Sequence, residues 1–249
     1  MIVLFTDFGL EGPYTGQVKA RLAADAPGVP VIDLFADAPA GDPHRASYLL
    51  AAYAKDFPPE SVHFCVVDPG VGGPRAPLAA RVDGHWYVGP DNGLFEMVLR
   101  RAAAPPRVWE ITWRPERLSP SFHGRDLFAP VAARLATGAP PDGTERPEEA
   151  IRRPQWPDDL AEVVYVDRFG NAMTGLRGGV LVPDVVLSTG NTYVKRAEIF
   201  SQVPPGLAFW YENANGLAEI AVNQGRANEI LSLRVGSQIG IGGRFDTGN

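Results

Sequence analysis

From residue 2 to about residue 136, short apolar runs alternate with stretches of helical period. Ile2–Thr6 and Val62–Val67 read as buried strands, too short and too continuously apolar for surface helices, and Val31–Phe35 as a further strand. Between them, 15–26 carries Val18, Leu22 and Ala26 at helical spacing. Asp42-Pro43 opens a second helical segment running to about Asp56, with an N-cap followed by Pro in the first turn. Two shorter strands, Leu78–Val82 and Trp86–Val88, flank Asp83-Gly84, a strong two-residue hairpin signal. Residues 92–101 read as helix, 107–112 as strand, and 126–136 as a helix ended by Gly138. Such alternation predicts a layered α/β domain with a mostly parallel sheet.

The pattern changes after a proline-rich, charged stretch, 139–159, which reads as a connector. Beyond it, Val163–Val166, Val180–Leu181, Val185–Leu187, Leu207–Tyr211, Glu219–Val222 and Ile230–Val235 are short, β-branched or aromatic, and separated by Gly, Asn and Pro turns. The expectation is an α/β domain over 1–145 and a smaller all-β, barrel-like domain over 160–249.

Composition narrows the function classes. A net charge of −6 and scattered Lys and Arg argue against nucleic acid or an anionic membrane as partner. No apolar stretch reaches the roughly 18–20 residues of a spanning helix, and the N-terminus lacks the basic and apolar regions of a secretory signal. The expected location is the cytoplasm. Cys65, the single cysteine, lies in an apolar run and reads as a buried, inert thiol. Four histidines without HxxxH or CxxC spacing make no protein-built zinc site legible.

The chemically informative residues are polar ones placed directly after buried strands, because ligands of open α/β sheets collect beyond the strands' carboxyl ends. Asp7 follows the first strand and Asp68 the third. Each is succeeded by glycines (Gly9; Gly70, Gly72 and Gly73) that let backbone approach a ligand closely. Taken singly, a strand-end aspartate as often caps the next turn; two in one domain favour a site. His123, in a glycine-containing loop entering a helix, is placed to titrate, unlike His63 in a strand, His85 in a hairpin or His44 in a first helical turn. Asp7-Phe8-Gly9 is no kinase magnesium loop, since the loops that must precede one have no room before residue 7.

Six segments in order, TDFGLEGPYTG (6–16), VVDPGVGGPR (66–75), YVGPDNG (87–93), SFHGRDLFAP (121–130), VDRFGNAMTG (166–175) and NANGLAEIAVNQG (213–225), resemble the S-adenosylmethionine hydroxide adenosyltransferases, relatives of the fluorinase and chlorinase enzymes. The resemblance runs from residue 1 to about 236. It implies an α/β domain joined to a β-barrel domain, and a homotrimer with S-adenosyl-L-methionine (SAM) held between the α/β domain of one subunit and the β domain of its neighbour. It implies that Asp7 holds the ribose hydroxyls, that Asp167 pairs with the methionine ammonium, and that Phe169 and Asn171 contact the adenosyl part. It places Asn213 and Asn215, in the turn ending at Gly216, near the amino-acid end, and Asn223 and Gln224 near adenine. The catalytic set of the hydrolase branch falls on Asp68, Arg75 and His123. The chain departs from the family in having Glu11-Gly12-Pro13 where a second acid is common, and Asn213-Ala214-Asn215-Gly216 in place of smaller residues.

The implied reaction is displacement at C5′ by activated water, giving adenosine and L-methionine. A sulfonium departs as a neutral thioether, so the chemistry calls for no cofactor and no metal; SAM is the substrate. The difficulty lies in aligning water and making it basic, which an imidazole, a guanidinium and a carboxylate suit. The alternatives are a SAM-dependent, chlorinase-like halogenase and an adenosine- or SAM-binding protein without turnover. The halogenase branch carries an aromatic hydroxyl or similar group at the position of Asp68, and the fluorinase a serine at that of Gly124, so water is the better nucleophile here.

Overall fold

The computed structural model describes residues 1–242. The chain divides into two compact units, Met1–Trp156 and a second beginning at Pro157.

The first unit is a seven-stranded sheet with helices on both faces. Its elements are β1 (Ile2–Thr6), α1 (Tyr14–Asp25), β2 (Val31–Phe35), α2 (Pro43–Tyr53), β3 (Val62–Val66), β4 (Pro77–Val82), β5 (His85–Pro90), α3 (Glu96–Arg100), β6 (Arg107–Ile111), α4 (Ala129–Ala136) and β7 (Gly143–Arg146). The strand order is β2-β1-β3-β5-β4-β6-β7. The pairs β1–β2, β1–β3 and β3–β5 are parallel, whereas β4–β5, β4–β6 and β6–β7 are antiparallel. Parallel pairing is thus confined to one half of the sheet. The cause is local: Asp83 and Gly84 take φ of 45° and 86°, the primed turn that folds β5 straight back on β4.

Ile2, Leu4, Val62, Phe64 and Val88 share one core cluster with Val18 and Leu22 of α1 and Val131 and Leu135 of α4. The alternate residues Phe5 and Cys65 are also buried, and Phe35 packs edge-on against Phe5 and against Tyr53 of α2. Covering both faces explains why β1 and β3 read as continuous apolar runs. Asp42 caps α2, accepting from the Arg45 amide at 3.0 Å. Gly138, with φ 88°, follows the last turn of α4.

Residues 139–156, read from sequence as connector, are largely built into this unit. β7 pairs with β6. Glu96 of α3, whose side chain is fully buried, accepts from the Arg153 amide at 2.7 Å and from Arg100 and Arg152.

The second unit contains β8 (Leu160–Val166), β9 (Ala172–Arg177), β10 (Val186–Thr189), β11 (Thr192–Arg196), β12 (Ala208–Glu212), β13 (Leu217–Val222), a short helix α5 (Ala227–Ile230) and β14 (Gly240–Gly242). Its sheet runs β14-β10-β11-β12-β13-β9-β8. The far edge, β8, hydrogen-bonds the stretch leading into β14: Gly236 and Ile239 amides donate to the Val163 and Ala161 carbonyls, each at 2.8 Å. That contact curls the sheet into a barrel-like closure around Trp210, Leu187, Val194 and Ile220. Two sequence expectations need correction here. Val180–Leu181 is no strand, because 178–180 turn as a 3-10 helix after paired glycines. Ile230–Val235 is no strand either: α5 ends there, and Ser232 takes φ 52°.

Candidate active site

In the first unit, Asp7, Phe8, Asp68, Pro69, Phe122 and His123 surround a cleft of about 120 Å3. Asp7 directly follows β1 and Asp68 lies two residues beyond β3, so both stand past the carboxyl ends of adjacent parallel strands. The glycine-rich loop after Asp68 is docked against the loop that carries His123. Gly72 has φ 80°, and a Cβ there would lie 2.3 Å from the Pro120 carbonyl oxygen. Only glycine permits that approach. The cleft's aromatic wall is Phe8 edge-on against Phe122, with Tyr14 packed edge-on against Phe122 and tilted against Phe8.

Asp68 and Arg75 form a buried ion pair, their side chains 3% and 10% exposed. Arg75 Nε donates to both carboxylate oxygens, at 3.0 and 2.9 Å, and its Nη2 also bonds Oδ2. The guanidinium lies 5.8 Å from the centroid of the Phe128 ring. His123 precedes a π-helical turn, Gly124–Phe128, that leads into α4; such turns recur at functional sites. Its imidazole is buried, and Nδ1 has no hydrogen-bond partner among the described residues. Burial pulls the His123 pKa below the ordinary 6.5; the Arg75 charge adds to the shift, while Asp68 opposes it. Neutral imidazole, a base, is therefore favoured. Asp7 accepts the Gly41 amide at 2.8 Å. Burial raises its pKa, with the nearby Asp68 charge adding to the effect.

In the second unit, Asp167, Phe169, Asn171, Phe200, Tyr211, Glu219, Val222, Gln224, Gly225 and Arg226 line a broader cavity of about 680 Å3. Asp167 organises the turn between β8 and β9. Its Oδ1 accepts the Phe169 and Asn171 amides, each at 2.8 Å, and Oδ2 the Asn171 side-chain amide at 3.2 Å. Phe169, held on that turn, is 73% exposed, its ring outside the core.

The sequence-derived residues thus sort into two groups, one in each unit. Asp7, Asp68 and His123 share one cleft, with Arg75 bound to Asp68; Asp167, Phe169, Asn171 and Gln224 share the other. Asn213, Asn215 and Asn223 are not among the residues that line the second cavity. Asn213 Oδ1 accepts the Asn215 and Leu217 amides, each at 3.0 Å, which makes the turn. Asn223 Nδ2 donates to the Val203 carbonyl at 2.5 Å. The lining residues Phe200, Tyr211, Glu219 and Arg226 are not foreseen by the sequence reading. Glu219 carries the clearest overlooked signal, a lone charge inside the otherwise apolar, fully buried run of β13.

Family models fit almost the entire chain: the SAM hydroxide adenosyltransferase N-terminal domain over residues 2–145 and the corresponding C-terminal domain over 161–240. The chain belongs to the SAM hydroxide adenosyltransferase family. It is 41% identical to an (R)-S-adenosyl-L-methionine hydrolase of Thermus thermophilus, over 96% of this chain and 98% of that one. A protein of the same name from Salinispora arenicola is 36% identical over 95% of each. Among solved structures, an uncharacterized conserved protein from Thermotoga maritima superposes with a TM-score of 0.87 at 32% identity, covering 97% of this chain and 99% of that one. Among the described residues no helix is long and apolar enough to cross a membrane.

Proposed function

We propose that this member of the family is an enzyme that hydrolyses SAM to adenosine and L-methionine, with Asp68, Arg75 and His123 as its catalytic set. The single observation that carries the reading is their common setting: beyond the parallel strands, Asp68, ion-paired with Arg75 and buried, shares one cleft with His123, whose Nδ1 has no hydrogen-bond partner among the described residues. The names of the two hydrolase relatives support the same reaction.

In the proposed step, the oxygen of water forms a bond to C5′ while the C5′–S bond breaks. The bonding pair leaves with sulfur, which becomes the neutral thioether of methionine. The water proton passes to His123. Arg75 stabilises the developing hydroxide character, and Asp68 fixes the guanidinium in place. No cofactor or metal is required for this balance. Asp7 holds the ribose hydroxyls, and the cavity of the second unit holds the remainder of the substrate. We further propose a cytoplasmic homotrimer in which each site draws the α/β domain of one subunit and the β domain of its neighbour; the division of the site residues into two groups supports it.

Incubation with SAM, followed by chromatography, should yield adenosine. In H2(18)O the label should appear on the 5′-oxygen, with chloride giving no comparable 5′-chloro product and exhaustive chelation leaving the rate unchanged. The relatives are named for the R sulfonium, so the R epimer should be consumed faster than the S. A chloronucleoside as main product would move the assignment to the halogenase branch.

A further inference from the structure

The lone charge of β13 has a particular setting. Glu219 is 97% buried as a residue, and it lines the 680 Å3 cavity of the second unit with Asp167. Its carboxylate is held by neutral donors. Tyr211 Oη donates to Oε1 at 2.6 Å and Asn213 Nδ2 to Oε2 at 2.8 Å, with Asn171 also contributing. Among the described residues no Lys, Arg or His figures among the groups acting on it. Arg226 lines the same cavity, but its guanidinium bonds Glu229 and the Arg168 carbonyl. Asp167 likewise takes its hydrogen bonds from two backbone amides and the amide of Asn171.

Two carboxylates line one cavity, then, and among the described residues neither is ion-paired to a cation. A buried carboxylate without a counter-charge is unfavourable. Burial pushes Glu219 above the ordinary carboxylate range, the Asp167 charge adding to this, while the Tyr211 and Asn213 hydrogen bonds pull it down. An arriving cation reverses the balance. Of the two cationic groups of the proposed substrate, a sulfonium has no N–H to donate. An ammonium has three, each able to meet a carboxylate lone pair.

Resting on the proposed reading of the substrate, we propose that Glu219 is a specificity-determining residue that, paired with Asp167, binds the α-ammonium group of the methionyl end. Asn213 then acts as a positioning residue. Its amide is spent on the turn and on Glu219, so it orients the carboxylate rather than meeting the substrate. Tyr211 has the same role from the other side, locked by edge-on packing against Phe200.

The test compares SAM with the analogous adenosyl sulfonium that lacks the α-amino group, by calorimetric titration and by turnover, on the full-length protein. For Glu219→Gln, which keeps the size and some hydrogen bonding, the Kd and KM for SAM should rise about tenfold or more, the loss of one charge-assisted pair. Values for the deaminated sulfonium should change less than about twofold, and kcat for SAM should fall far less than KM rises. Glu219→Asp should recover part of the loss for SAM alone. Tyr211→Phe, which leaves the carboxylate but frees one oxygen, should weaken SAM severalfold and spare the analogue; it also decides the matter if Glu219→Gln does not fold. Equal weakening of both ligands, or no change in either, overturns the role of Glu219. Absence of adenosine release from the wild type with SAM overturns the proposed reaction instead, and leaves the calorimetric comparison intact.

Discussion

At the residue scale, the Asp68–Arg75 pair explains why substitutions in the first cleft need choosing with care. Removing one partner of a buried ion pair strands the other and costs about 3–5 kcal/mol, so a truncation at Asp68 reports folding as much as chemistry. His123 is the cleaner probe, because its Nδ1 has no partner among the described residues to strand. His123→Gln should lower kcat by about 10²-fold or more, the lower range of general-base assistance, with KM changing less. The pH profile should carry the same assignment. Burial depresses the His123 pKa, so the imidazole stays neutral below pH 6.5 and the acid limb of kcat/KM should lie on the acid side of that value. A profile unmoved by His123→Gln would remove His123 from the role of base. Asp68 was legible in the sequence because it follows an apolar run and precedes glycines, and His123 because it sits in a glycine-containing loop entering a helix, whereas Arg75 entered only through the family resemblance. Glu219 was not legible, although it is as well placed. It lies within an apolar run, and a period-based reading assigns such a run to a strand without asking why one member is charged. Tyr211 and Phe200 offered less still, since an aromatic in a β-rich segment looks the same whether it faces a core or a cavity.

At the element scale, strands bounded by turn residues were readable, while pieces whose structure depends on close tertiary approach were not. β9 was missed because Ala172, Thr174 and Gly175 do not read as a strand. Yet a Cβ at Gly175 would come within 2.7 Å of Leu160 Cβ, so glycine is what lets β8 and β9 close. Conversely, Leu231, Leu233 and Val235 alternate like a strand. They instead follow α5 through a turn that buries Leu233 in the barrel core. β3 raises a different question. His63, fully buried in this strand, has neither ring nitrogen hydrogen-bonded among the described residues. It stacks on Tyr87 at 4.8 Å, with Phe57 and His85 edge-on. Burial, with a smaller contribution from the His85 charge, brings its pKa down to about 3. The folded state therefore keeps His63 neutral in a range where the unfolded chain protonates it. Stability should fall as pH drops below about 6.5, by about 1.4 kcal/mol per unit for this one group, and level off only near its folded pKa. Urea titrations at pH 7 and pH 5 should show His63→Phe losing roughly 2 kcal/mol less than the wild type over that interval. Equal losses would mean that His63 gains a proton while folded.

For the whole molecule, the sequence supplied six motifs in order, and the family models span residues 2–145 and 161–240, which include them all. The proposed site residues fall in two groups, one around a cleft in the first unit, with the candidate base, and one around a cavity in the second, with the candidate anchors for the substrate's far end. If each site is completed by a neighbouring copy, activity belongs to the assembly, and two defects in different units of different chains are separable. His123→Gln disables the first group and Asn171→Ala the second. Each homogeneous variant should be nearly inactive. Unfolded together in equal amounts and refolded, they should form mixed oligomers in which half the first groups and half the second groups are intact. Sites built from two neighbouring copies then combine an intact pair in about a quarter of cases, so activity should return to about a quarter of the wild-type level. Sites built within one chain would return none, since every chain carries one defect. Light scattering on the same samples should give three copies per particle. A monomeric mass, or mixed samples no more active than their components, would rule out the shared site.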